Sequence, residues 1–150
     1  MGTKAVLRTG CALLILWQVA IGLWAVLFPE GFYLGYPTRE VGWVAMFPPY
    51  NEHLVRDYGL ALLQLAPLAL VCLKRPEPVF VTAMLIGSLL FNAPHAVYHE
   101  LHIVRTDDLA LQRLSLCTPI VLAVGLLYLT HKLKASLRSA AAEERPAARS

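Results

Sequence analysis

Four runs of apolar residues, separated by short polar segments, constrain the fold of this chain more than any other feature of its sequence. The chain has 150 residues, of which 57% are hydrophobic and only 15% charged. A soluble domain of this size cannot bury so much apolar surface. Globular cytosolic enzymes, disordered chains and disulfide-stapled secreted modules are therefore excluded, and a small polytopic membrane protein remains. The runs cover residues 11–28, 59–73, 79–91 and 114–130.

The lengths of these runs predict four transmembrane helices. At about 1.5 Å per residue, the second and third runs reach only about 22 Å and 20 Å, so they cross a hydrocarbon core of about 30 Å only if polar neighbours continue the helices. Those neighbours are residues 51–58 before the second run and 92–102 after the third. We therefore predict an all-α, four-transmembrane-helix bundle over residues 1–134, with spans at about 11–28, 52–73, 79–102 and 114–131.

The distribution of Lys and Arg predicts the orientation of the bundle. Nine of these residues flank the spans on the side of the two termini, and four lie on the opposite side. Because basic loops stay in the cytoplasm, both termini should be cytoplasmic, in a multi-pass protein of the plasma membrane. The tail over residues 135–150 is interpreted as a frayed helix ending in disorder. The net charge of +3 is mild and scattered, which gives no reason to expect a nucleic-acid partner.

Residues 29–50 then form an outer loop between the first and second spans. This loop holds six aromatic residues, together with Pro37, Pro48 and Pro49. Such a composition favours a segment at the membrane interface, lying as a lid over the outer end of the bundle.

Isolated polar or sulfur-containing residues within the spans are interpreted as packing residues. Gln18 in the first span is expected to form a hydrogen bond with another helix. Cys11, Cys72 and Cys117 show no metal or redox spacing and are expected to be small buried hydrophobes.

A polar stripe follows the third span. Ser88, Asn92, His95, His99 and His102 are separated by 4, 3, 4 and 3 residues, which places them on one face of a helix. Pro94 removes a backbone hydrogen bond beside this stripe and is expected to bend the helix there.

A second polar group begins the neighbouring span. His53 and Asp57 are one helical turn apart, and Glu52 and Arg56 flank them. Because the loop at residues 74–78 is short, the second and third spans should be antiparallel neighbours with their polar ends side by side.

These two groups together predict a metal site. Imidazole and carboxylate ligands from facing helices suit Fe, Cu or Zn. The predicted ligands are His53, Asp57, His95, His99 and His102. Glu100 and Glu52 are the candidate proton donors or acceptors, and Arg56 is a candidate for holding an anionic group of the substrate.

Two other interpretations of the same residues remain open. They could form a metal-free acid–base or ligand pocket, or a structural polar cluster whose side chains reach the interface. In the second case Arg56 and Asp57 pair with neighbours such as Glu52, and Asn51 caps the second helix.

Two segments carry a resemblance to a known group of proteins. Residues 51–57, with the sequence N-E-H-L-V-R-D, and residues 94–99, with the sequence P-H-A-V-Y-H, resemble segments of small four-span integral membrane proteins of actinobacteria. The likeness extends over most of residues 11–131 and implies a four-span fold, without naming a reaction.

The sequence therefore predicts an integral membrane protein with a His and carboxylate site in the outer leaflet. Its leading interpretation is a metal-dependent enzyme that acts on a lipophilic small molecule from the lipid bilayer; oxidoreductase, isomerase or cyclase, and hydrolase chemistry all remain open. The alternatives are a metal-free acid–base isomerase or cyclase, and a non-catalytic metal-binding or accessory subunit. A homo-oligomer or a partner membrane subunit is compatible with each of these.

Overall fold

The computed structural model of the chain describes residues 2–104 and 106–147. This part of the chain is all-helical and contains no β-strand. It has four helical segments that are long and apolar enough to span a membrane, which confirms the predicted all-α class with four spans. The helices are α1 Thr3–Leu27, α2 Pro29–Gly35, α3 Glu52–Leu63, α4 Ala66–Lys74, α5 Pro78–Leu101 and α6 Leu109–Ala147, with a 3₁₀ turn at Val44–Met46.

Local sequence signals explain where several helices begin. Pro29 and Pro78 occupy the first positions of α2 and α5, where a missing backbone N–H costs nothing. Asn51 precedes α3, and its side chain accepts a hydrogen bond from the backbone N–H of Leu54 at 3.2 Å. The predicted cap at Asn51 is thus confirmed.

The second membrane span consists of two helices, an interruption that the hydropathy pattern does not predict. Helix α3 ends at Leu63 and α4 begins at Ala66, with a turn at Gln64 and Leu65 between them. Pro67 lies in the first turn of α4 and explains the interruption, since it lacks an N–H and its ring crowds the carbonyl four residues earlier. By contrast, α5 continues through Pro94 as one helix.

The helices pack mainly as two pairs, α1 with α3 and α5 with α6. The first pair makes close backbone contact at Gly22 and Gly59. A Cβ atom added to Gly59 would lie 2.7 Å from the carbonyl oxygen of Gly22, so only glycine fits there without a shift. Contacts of α4 with α5 and of α1 with α6 join the two pairs.

Two separate hydrophobic clusters stabilise the bundle. We call the end where residues 28–51 lie the loop end and the opposite end the terminal end. The terminal-end cluster joins α1, α4, α5 and α6, and the loop-end cluster joins α1, α2 and α3. Buried members of the first include Leu7, Cys11, Cys72, Met84 and Leu126, and those of the second Ile21, Ala25, Phe32, Val55 and Leu62.

Helix α6 extends beyond the predicted fourth span at both ends. It continues to Ala147, over most of the segment predicted to be a frayed helix ending in disorder. Alanines at 135, 140, 141 and 142 favour this helix because they are strong helix formers. Residues 148–150 of that tail lie outside the described residues. Cys117, on the same helix, is exposed, so the expectation that all three cysteines are buried is wrong.

Candidate ligand pocket

A cavity of about 450 Å³ lies at the loop end, between the α1–α3 pair and the α5–α6 pair. It forms because α4, and not α3, packs closely against α5. The predicted side-by-side arrangement of the second and third spans therefore holds for the α4 half. The backbones of α3 and α5 lie farther apart, and their side chains meet across the cavity wall through rings such as Tyr58 and Phe91. A volume of this size is typical of sites for small molecules.

Apolar and aromatic side chains form most of the cavity wall. They come from all four membrane-length segments and from residues 28–51. The aromatic members are Trp17, Phe32, Tyr33, Tyr36, Trp43, Phe47, Tyr58, Phe91 and Tyr98. A ring-containing or polyunsaturated molecule would contact such a wall favourably.

Two neighbouring histidines of the predicted stripe face this cavity. The ring centroids of His95 and His99 lie 4.6 Å apart. His95 also contacts the rings of Tyr58 and Phe91, and Phe47 meets His99 edge-on at 5.6 Å. Neither imidazole forms a hydrogen bond or an ion pair with any residue that the structure describes. Two polar rings thus line an apolar cavity with their hydrogen-bonding capacity unused.

Deeper along the same stripe, three side chains form a polar network. Gln18 donates a hydrogen bond to the Ser88 hydroxyl at 3.4 Å, and Asn92 donates to the same hydroxyl at 3.1 Å and to the Ser88 carbonyl at 2.8 Å. The predicted interhelical hydrogen bond of Gln18 is thus confirmed. Gln18 and Asn92 also line the cavity, and no described residue donates a hydrogen bond to their amide oxygens.

Residues 28–51 are tied to the other helices around the cavity. The indole of Trp43 donates a hydrogen bond to Asp108 at 2.6 Å, and Gln112 donates to the other oxygen of that carboxylate. Tyr36 packs between Phe32 and Trp43, and burial raises the pKa of its hydroxyl, partly offset by a hydrogen bond with Ser115. Tyr36 therefore faces the cavity as a neutral phenol at ordinary pH.

His53 and Asp57 do not join the histidines of α5. They form their own pair, with 3.1 Å between His53 Nε2 and Asp57 Oδ2, and their side chains are 82% and 53% exposed. The reason is the rotation of α3: Val55 and Gly59 face α1, and residues two positions away point about 160° from that face.

His102 also lies outside the cavity. Helix α5 ends at Leu101, so the helical spacing that aligns His102 with His99 no longer applies. Its ring stacks on Tyr98 at 4.2 Å between centroids, and Nδ1 lies 2.8 Å from the Tyr98 carbonyl oxygen. The imidazole therefore covers the last turn of the helix instead of facing the cavity.

The three candidate catalytic charges form ion pairs outside the cavity. Arg56 binds Glu52 at 2.8 Å and also donates to the carbonyl of Val26, where its positive charge caps the C-terminal turn of α1. Glu100 accepts two hydrogen bonds from Arg113 of α6, at 2.7 Å and 2.8 Å. These pairs match the structural interpretation of Arg56 and Glu52, and Glu100 binds Arg113 instead of lining the cavity.

The described residues therefore do not assemble the five predicted metal ligands. No group of three or more His, Cys, Asp or Glu side chains in this part of the chain is placed to share a metal ion. Of that set, the structure brings His95 and His99 together at the cavity, and His53 and Asp57 together as a separate, exposed pair.

Sequence reasoning missed several residues of the cavity. Tyr58, Tyr36, Phe91 and Ser115 line it, but nothing in their local sequence separates them from packing residues. Asn92, by contrast, was identified as part of the polar stripe, because its helical spacing links it to His95 and His99. Comparison of the chain with protein-family models, with curated proteins and with solved structures finds no match.

Proposed function

We propose that the chain is an integral membrane enzyme that binds a lipophilic small molecule in the loop-end cavity and rearranges it by acid–base catalysis, as an isomerase or cyclase. The observation that carries this proposal is the pair His95 and His99, two adjacent imidazoles that form no hydrogen bond or ion pair with the described residues, in a cavity walled by aromatic rings. A neutral imidazole has one ring nitrogen that can accept a proton and one N–H that can donate one, so two adjacent rings can act as base and acid on the same ligand.

A proton-moving rearrangement needs no further reactant. One imidazole takes a proton from a carbon of the bound molecule, and its neighbour returns a proton to another atom of the same molecule. The substrate and the product then have the same composition, and the two imidazoles return to their original states after a proton passes between them. The centroid separation of 4.6 Å keeps both rings within reach of one ligand.

We place the loop end in the outer leaflet of the plasma membrane because most Lys and Arg residues flank the opposite ends of the spans. Residues 28–51 would then cover the cavity on the outer side as a lid. The resemblance to the four-span actinobacterial proteins, which share the histidines at 95 and 99, is compatible with this arrangement.

Comparative lipid analysis tests the proposed reaction. Membranes from cells that express the wild type or His95→Phe/His99→Phe would be extracted and compared by chromatography with mass spectrometry. We expect one lipid to accumulate in the variant and a product of equal mass but different retention to be present only with the wild type. His53→Phe and His102→Phe are the controls, since both rings lie outside the cavity. Identical lipid profiles for all four proteins would contradict the proposal.

A metal-dependent enzyme is the second candidate, favoured by the adjacency of His95 and His99 on successive turns of α5. Two imidazoles would hold Fe, Cu or Zn only with further ligands from the substrate or a partner membrane subunit. Metal analysis of the purified wild type and of His95→Ala/His99→Ala separates the two candidates.

Stoichiometric metal that is lost in the variant would favour the metal-dependent enzyme over the acid–base proposal. A lipid product heavier by one oxygen atom would indicate oxidation. Metal binding without any lipid change would indicate the non-catalytic alternative.

A further inference from the structure

The charges around the cavity carry an inference about the class of molecule that it takes. Of the residues that the structure describes, those lining the cavity include no Asp, Glu, Lys or Arg. The charged residues near the cavity are engaged with other residues: Glu52 with Arg56, Asp57 with His53 and Glu100 with Arg113. The Asp108 carboxylate does not line the cavity and accepts hydrogen bonds from Trp43 and Gln112. While both imidazoles are neutral, a carboxylate, phosphate or ammonium group inside would therefore lose its hydration without gaining an opposite charge from a lining residue, which is strongly unfavourable.

The polar groups that do line the cavity suit an uncharged oxygen. His95 and His99 each offer one N–H donor and one ring-nitrogen acceptor when neutral. Asn92 and Gln18 donate their amino groups to Ser88, and no described residue donates to their amide oxygens. An alcohol can donate to one of these acceptors and accept from an imidazole, and a carbonyl can accept from an imidazole.

Three exposed side chains at the cavity indicate a route to it from the lipid phase. Trp17, Leu54 and Tyr98 line it and are 49%, 63% and 50% exposed. Each belongs to a helical segment long and apolar enough to span a membrane, so in a bilayer these half-exposed side chains would lie where lipid meets the bundle. An uncharged molecule dissolved in the bilayer can reach the cavity past them without crossing the interface.

We propose that the loop-end cavity selects an uncharged lipophilic molecule with an alcohol or carbonyl oxygen, held by His95 or His99 and by the amide of Asn92 or Gln18, and rejects charged analogues. This inference rests on the proposed function, because it specifies the substrate class of the same site. It also removes the role predicted for Arg56, which would have held an anionic substrate.

Matched pyrene probes test the selection. The full chain in phosphatidylcholine nanodiscs would be titrated at about pH 8 with 1-pyrenebutanol, 1-pyrenebutyrate, 1-pyrenebutylammonium and 1-butylpyrene. Energy transfer from Trp17 and Trp43, which line the cavity, reports binding. Ser115→Phe narrows the cavity, so the energy transfer that remains in this variant measures the background from probe dissolved in the lipid. Thermal unfolding at the wild-type temperature would show that the variant is folded.

We expect pyrenebutanol to bind about tenfold more tightly than either charged probe, which corresponds to about 1.4 kcal/mol. His95→Phe and Asn92→Leu should weaken pyrenebutanol about fivefold and leave butylpyrene unchanged, while the distant control Tyr128→Phe changes neither. Equal or tighter binding of a charged probe would overturn the selection but leave the ligand-binding proposal standing. Absence of saturable transfer for all four probes in the wild type would overturn the proposed function as well.

Discussion

At Gly22 and Gly59 the backbones of α1 and α3 touch, and this contact sets the geometry of the cavity wall. Val55 and Leu62 face α1 on the same side of α3 as Gly59. A side chain at position 59 would push against the Gly22 carbonyl at 2.7 Å and against Val26 at the same distance. The rotation of α3 therefore depends on the missing side chain.

Gly59→Ala should lower the free energy of unfolding by about 1–3 kcal/mol, because the added methyl group overpacks the contact between α1 and α3. The matched control is Gly125→Ala on α6, where an added Cβ meets no atom within 4 Å. That substitution should be neutral or slightly stabilising, since alanine favours a helix by up to about 1 kcal/mol over glycine. Thermal unfolding in detergent, followed by circular dichroism, compares the two; equal loss in both would refute the close contact.

Tyr36 should make stability depend on alkaline pH. Burial raises the pKa of its hydroxyl above the ordinary value of about 10, so the folded state favours the neutral phenol. That contribution is complete below about pH 10 and is lost as the pH rises through the folded-state pKa. Wild-type stability, measured by denaturant titration, should therefore fall more steeply above about pH 10 than that of Tyr36→Phe. The same slope in both proteins would contradict the burial of this hydroxyl.

Some residues of the site were predictable and others were not, for a physical reason. The 4 and 3 spacing fixes which side chains share a face of one helix, so the alignment of Ser88, Asn92, His95 and His99 follows from sequence. The rotation of α3 about its own axis depends on the glycine contact with α1, which no spacing within α3 encodes. This rotation turns His53 and Asp57 outward and removes them from the predicted metal site.

Among the helices, too, features that depend on local sequence were predicted and features that depend on tertiary packing were not. Long apolar runs predicted the four spans, because hydropathy over about 20 residues is a local property. The interruption near Pro67 and the helix α2 inside the aromatic segment were missed, since they are short and their apolar composition resembles that of the neighbouring helices. The sequence predicted a third span that ends at residue 102, whereas α5 ends at Leu101. Because of this difference, His102 lies outside the helix and does not align with His99.

The segment over residues 28–51 should be held in place mainly by Trp43. Its indole hydrogen bond to Asp108 links the segment to the start of α6, and the ring packs against Tyr36. Trp43→Phe keeps an aromatic ring but removes the donor. We expect amide hydrogen exchange over residues 38–47 to be about fivefold faster than in the wild type, since losing this hydrogen bond should lower the free energy of local opening by about 1 kcal/mol.

The control for this prediction is Trp17→Phe, a half-exposed tryptophan on α1 that forms no side-chain hydrogen bond with the described residues. Exchange over residues 38–47 should stay at the wild-type rate in that variant. If Trp43→Phe also exchanges at the wild-type rate, the bond to Asp108 does not hold the segment.

For the whole molecule, the bias in Lys and Arg predicts that both termini face the cytoplasm. In a chain with its three cysteines replaced by alanine, Thr38→Cys should react with a membrane-impermeant maleimide in intact cells, and Ser136→Cys only after the cells are permeabilised. Thr38 and Ser136 are both exposed and lie near opposite ends of the bundle. The reverse labelling pattern would place the cavity in the inner leaflet.

The two hydrophobic clusters also divide the molecule into two units of stability. The terminal-end cluster joins α1, α4, α5 and α6, whereas the loop-end cluster joins α1, α2 and α3 beside the cavity. A molecule bound in the cavity should therefore slow amide exchange in residues 28–63 and 91–99 while leaving residues 66–74 and 123–130 almost unchanged. With that result, the loop half of the bundle would open for a ligand while the other half stays folded.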